Sequence, residues 1–68
     1  NPTSQTLQVQ TENPTQWSGV LYNAQGQLIQ QWAHLPADGQ IGLSCPGGLY
    51  LLQLQNGDQV RTERIVVR

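Results

Sequence analysis

An all-β fold is predicted, a small antiparallel sandwich or barrel of six to seven short strands, on three observations. Apolar and polar residues alternate with a period of two in several stretches, and no window of about a dozen residues escapes Gly, Pro or strand-type alternation. Turn-forming clusters divide the chain at spacings of about 8–12 residues, the interval of sandwiches and barrels. The chain closes on two apolar runs, Leu49 to Leu54 and Ile65 to Val67, on either side of Asn56-Gly57, the strongest short-range hairpin signal.

The elements follow in order. Leu7 and Val9 alternate with Gln8 and Gln10, a first strand with one wet face, and Asn13-Pro14 breaks the chain after it. From Trp17 to Tyr22 both faces carry apolar groups, Trp17 and Leu21 on one and Val20 and Tyr22 on the other, as in a central strand. Asn23-Ala24-Gln25-Gly26 is a turn in which Gly26 supplies positive φ, and Leu28 to Ala33 completes a hairpin. His34 to Gly39 is a loop with room for a short seventh strand. Gln40 to Ser44 is a short strand with Ile41 and Leu43 facing one way, and Pro46-Gly47-Gly48 leads tightly into the closing hairpin.

The register of that hairpin decides where two charges go. A two-residue loop at Asn56-Gly57 sets Leu52 opposite Arg61 and Tyr50 opposite Glu63, and opposed residues share a sheet face. A three-residue loop, Asn56 to Asp58, sets Leu54 opposite Val60 and Leu52 opposite Thr62 and sends Arg61 and Glu63 to solvent; it is the expected arrangement. It needs a further irregularity near Arg64 if Ile65 and Val67, rather than Val66, are the buried pair. The last strand is expected to be tied into the core, where most chain ends fray.

Composition excludes several classes. Sixty-eight residues make one domain, which buries only about 60% of its unfolded surface. The net charge is -1, there is no Lys, and Arg61, Arg64 and Arg68 are the only cationic side chains. Nucleic acid is therefore not an expected partner, since binding it takes clustered basic charge. No apolar run approaches the roughly 20 residues of a membrane span, and the polar start Asn1 to Ser4 does not read as a signal peptide. The one cysteine, Cys45, has no partner for an internal disulfide.

Catalysis finds little support. Cys45 and His34 form the only thiol–imidazole pair, and a sandwich of this size offers little room for a substrate cleft. One His and one Cys fall short of a zinc site, and Glu12, Asp38, Asp58 and Glu63 lack the paired spacing of acid–base or calcium sites. No enzyme activity, cofactor or metal is expected. Tyr22 and Tyr50 are expected to fill the core; for Trp32, core residue and ligand platform both stand open. The three arginines read as a solvated strand face that discourages edge-to-edge pairing, with an anionic partner as the functional alternative.

Several segments fall into a familiar order: Asn1-Pro2-Thr3, Leu7-Gln8-Val9, Val20 to Ile29, Ile41 to Leu52 with its Pro46-x-Gly48-x-Tyr50, Asn56-Gly57, and Arg64-Ile65-Val66-Val67-Arg68. The set resembles the C-terminal sorting domain of proteins exported by the type IX secretion system of Bacteroidetes, over essentially the whole chain. Cys45, where a Leu commonly precedes the proline, and the Val67-Arg68 ending, where Lys is common, depart from the pattern.

The resemblance implies a single C-terminal sorting domain over residues 1–68, an immunoglobulin-like sandwich of about seven strands. It would be covalently part of a larger cargo that has entered the periplasm. Its partners would be the outer-membrane translocon with its shuttle and sortase components. The sortase would then remove the domain and leave the cargo on the cell surface or outside the cell. By position, Gly48, Tyr50, Ile65, Val66, Val67 and Arg68 would carry recognition. Such a domain would end a longer precursor with an N-terminal signal peptide. The rival readings are an autonomous binding module of the same fold, holding a glycan or protein near Trp32, and a merely structural sandwich. Edge strands offer a route to a weak homodimer.

Overall fold

The computed structural model describes residues 3–68, and side chains from Gln5 onward. Asn1 and Pro2, which open the resemblance, lie outside the described residues. Six strands form: β1 Thr3–Gln8, β2 Ser18–Asn23, β3 Leu28–Trp32, β4 Gln40–Cys45, β5 Gly48–Asn56 and β6 Gln59–Val67. All pairings are antiparallel, in a two-stranded sheet β1-β4 and a four-stranded sheet β3-β2-β5-β6. β2 is central, as its two-faced apolar pattern requires. This is a small all-β sandwich, and its helical content among the described residues is one 3₁₀ turn, Pro14–Gln16.

The two sheets bury one shared core. Ile41, Leu43 and Cys45 from β4 meet Leu21 from β2, Tyr50, Leu52 and Leu54 from β5, and Ile65 and Val67 from β6. Leu35 is fully buried although it lies in the loop read as solvent-facing; its N–H donates to Trp17 O at 3.0 Å. Gly19 makes the room for it, since a Cβ there would crowd Leu54, Trp32 and Leu35 at 3.3–3.4 Å. Tyr22, expected in the core, stands half-buried on the outer face of the four-stranded sheet. Strand alternation opposes it to Leu21, and the two-stranded sheet covers only one face.

Glutamine side chains close the seams between the sheets. Gln5 Nε2 donates to Val66 O at 3.3 Å and its Oε1 accepts from Arg68 N–H at 3.4 Å, so one side-chain amide stands in for a neighbouring strand at the end of β6. Gln30 Nε2 reaches Gly42 O across the β3/β4 seam at 3.4 Å, and Gln8 Nε2 reaches Asp38 O at 2.8 Å. Amides suit this place because each supplies both a donor and an acceptor to exposed strand backbone.

The closing hairpin corrects the expected register. Asn56 pairs with Gln59, so the loop is Gly57-Asp58, one residue further on than the sequence signal. Gly57 has φ 59° and Asp58 does not share a positive φ, the pattern of a type II′ turn with Gly at its first central position. Leu54 then faces Arg61, Leu52 faces Glu63, Tyr50 faces Ile65 and Gly48 faces Val67. Arg61 and Glu63 thus stand on the inner face rather than in solvent. In return Ile65 and Val67 are buried with no irregularity at Arg64.

Candidate functional site

The resemblance places recognition on Pro46–Tyr50 and the end of β6, which meet in space. Pro46 ends the extended run of β4, and Gly47 and Gly48 turn the chain back beneath the tip of β6. A Cβ on Gly47 would lie 3.3 Å from Val67 O, so a small residue lets the connection pass that close to the last strand. The Tyr50 hydroxyl donates to Pro46 O at 2.5 Å and closes the loop. The Pro-x-Gly-x-Tyr spacing is in this way a staple. It fixes β5 against β6 where Tyr50 opposes Ile65 and Gly48 opposes Val67.

The six proposed recognition residues divide into two sets. Tyr50, Ile65 and Val67 belong to the core, while Gly48, Val66 and Arg68 are exposed. A partner touching the folded domain reaches the second set only.

Burial raises the Tyr50 phenol above its ordinary value of 10.0, with smaller contributions from the hydrogen-bonded, neighbouring Cys45 thiol. The folded state therefore holds this proton more tightly than the unfolded chain. Its contribution to stability is complete below pH 10 and is lost as pH rises through the folded value. Denaturation midpoints followed from neutral to strongly alkaline pH should fall for the wild type. In Tyr50→Phe that fall should be smaller, on a baseline lowered by about 1 kcal/mol for the lost hydrogen bond. Identical alkaline slopes for the two proteins would contradict this.

At the other end of the hairpin Arg61 finds inner-face partners. Its guanidinium lies over the Trp17 ring, 5.9 Å from the centroid, donates from Nη1 to Gln10 O at 3.0 Å, and meets Glu63 Oε1 at 2.6 Å. The ion pair is partly exposed and contributes under about 1 kcal/mol. The larger service is to cover Trp17 and satisfy a loop carbonyl where the sandwich ends. Beside it lies a polar cleft of about 330 Å³ between the 3₁₀ segment and the Gly57 turn, lined by Thr11, Glu12, Asn13, Gln16, Trp17, Asn56 and Gln59.

The remaining candidates stay apart. Cys45 is buried at the Pro46 end, whereas His34 is exposed and its Nδ1 lies 3.1 Å from Thr15 O beside the 3₁₀ turn. Nothing brings the imidazole to the thiol. Among the described residues no three of His, Cys, Asp and Glu gather as metal ligands. Trp32 is half-buried against the core beside Gly19 rather than free as a platform. What the sequence reading missed is the outer face of β5, where Leu49 and Leu51 are exposed. The signal was available: an unbroken apolar run from Leu49 to Leu52 must send alternate members outward.

No curated protein and no solved structure matches the chain. A family model does, the secretion system C-terminal sorting domain, over residues 1–68. That family is not one of enzymes; its members are the cargo-attached signals that type IX machinery recognises for export across the outer membrane, to the cell surface or beyond. The ordered motifs, the staple they build around the last strand and the match over the whole length agree: the chain belongs to the secretion system C-terminal sorting domains of type IX secretion.

Proposed function

We propose that residues 1–68 are one folded sorting domain ending a larger cargo, and that the export apparatus reads it at its last strand. The cargo waits in the periplasm, is passed through the translocon with the help of shuttle components, and loses the domain to a sortase at the surface. Gly48, Val66 and Arg68 are the contact residues of this strand; Tyr50, Ile65 and Val67 hold them in place. The observation that carries the reading is the division within β6, where buried Ile65 and Val67 alternate with exposed Val66 and Arg68 in a strand stapled by Tyr50. A strand anchored on one face and free on the other suits recognition of a folded signal.

The test is to fuse residues 1–68 to the C-terminus of a periplasmic reporter in a host with type IX secretion. Surface display is expected, together with a mass loss corresponding to the domain. Arg68→Glu should reduce display while leaving the fold intact, because the side chain is exposed. A fusion that stays wholly periplasmic would sink the proposal.

A further inference from the structure

The outer face of the four-stranded sheet has two unlike halves. Toward the Gly57 turn it is largely polar, with Gln31, Val20, Gln53 and Thr62 in one row across the strands. Toward the Pro46 end the next row is Leu28, Tyr22, Leu51 and Arg64, and beyond it Leu49 sits opposite Val66. The exposures are large for such side chains: Leu28 55%, Leu49 46%, Leu51 43% and Val66 58%. Scattered apolar residues on a surface need no explanation, but a contiguous set does. The polar half proves that this sheet tolerates Gln and Thr outward, so β-strand preference alone does not require leucine here.

Charge is distributed to match. Arg64 completes the apolar row and Arg68 follows the end of β6, and no acid lies on this face. Glu12 and Asp38 are in loops, Asp58 is in the β5–β6 turn, and Glu63 is on the inner face with Arg61.

We propose that this apolar half-face, with Arg64 at its edge, is the docking surface for a protein partner presenting an apolar strip bordered by carboxylates. The inference rests on the sorting reading and names its surface: the partner belongs to the export apparatus, and contact begins at Val66 and spreads across β5 to Tyr22 and Leu28. A second copy of the chain fits poorly. Four strands at about 4.8 Å spacing over half a strand length cover roughly 300 Å², against about 800 Å² per partner in a stable dimer. Two such faces would also bring arginines together with no acid to meet them. A lipid surface fits poorly as well, because three arginines in a chain of net charge -1 give little attraction to anionic headgroups.

The experiment uses the reporter fusion with three variants: Leu51→Gln/Val66→Gln and Arg64→Glu on the proposed surface, and Gln53→Ala/Thr62→Ala on the polar half. All three should melt within about 5 °C of the wild type, since the positions are exposed. Surface display should fall about tenfold or more for the first two, with reporter retained in the periplasm, and stay within about twofold for the third. If the double variant proves unstable, Arg64→Glu alone decides. A foreign reporter removes any contact with native cargo as a cause. Failure of the wild-type fusion to display overturns the sorting reading and this surface with it. Display by the wild type and undiminished display by both face variants overturns this surface alone. Dimerisation of the purified chain at millimolar concentration, or flotation with phosphatidylglycerol vesicles, lost in the same variants, would reassign the face to a second copy or to lipid.

Discussion

Removal of Ile65 to Arg68 is expected to unfold the domain, not merely to erase a signal. The deletion takes Ile65 and Val67 from the core and leaves Tyr50 and the Pro46–Gly48 connection without their opposing strand. Burial of side chains of this size contributes about 1.5–3 kcal/mol each. A 68-residue domain at about 0.05–0.15 kcal/mol per residue has roughly 3–10 kcal/mol in all, so the loss is most of its stability. Circular dichroism of the truncated chain should show no cooperative melting transition above room temperature. A transition within about 10 °C of the full-length midpoint would contradict the structural role assigned to the strand. The consequence for export is direct: a truncated fusion that stays in the periplasm reports a broken fold, whereas Arg68→Glu reports on recognition.

Gly39→Ala is expected to cost about 2–4 kcal/mol, a large fraction of the total, although the substitution adds one methyl group. Gly39 has φ 74°, and a Cβ there would lie 2.7 Å from Val9 O and 2.9 Å from Gln8 Nε2. The first of these is backbone and does not swing aside. Gly39 O also accepts the Val9 N–H at 2.7 Å, the bond that ties the 33–39 loop to the end of β1 and holds buried Leu35 in register. Gly26→Ala is the matched control, with φ 82° and nothing within 4 Å of the added methyl, and should cost only about 1 kcal/mol. Chemical denaturation of the two variants separates steric conflict from backbone strain. Equal losses would mean that φ alone matters at Gly39.

Much of the fold is legible along the chain. Ile41 and Leu43 alternate with Gln40, Gly42 and Ser44 in a strand with one dry face, and they are buried as that pattern demands. Asn23 to Gly26 forms its turn, with the Asn23 side chain accepting from the Gln25 and Gln27 backbone N–H groups at 3.0 and 2.9 Å. Leu35 was not legible, because a single leucine between His34 and Pro36 has no periodicity to mark it; only the space left by Gly19 makes it core. The ordered motifs point to the sorting family, but they do not reveal that Tyr50 serves as a staple.

Local chemistry by itself determined that this chain is all-β, where its strands and turns fall, and which family it joins. Alternation, turn residues and motif order are properties of neighbours in sequence, and neighbours suffice to read them. Tertiary structure alone decided the register of the last hairpin. Shifting the loop from Asn56–Asp58 to Gly57-Asp58 changes little within the turn, but it moves every side chain of β6 to the other face. The choice falls to burying Ile65 and Val67 together, and it is permitted because Arg61, forced inward, finds Trp17 and Gln10 O at the end of the sandwich. Those partners lie 44 and 51 residues away in sequence, brought within reach only by the packing of one sheet on the other.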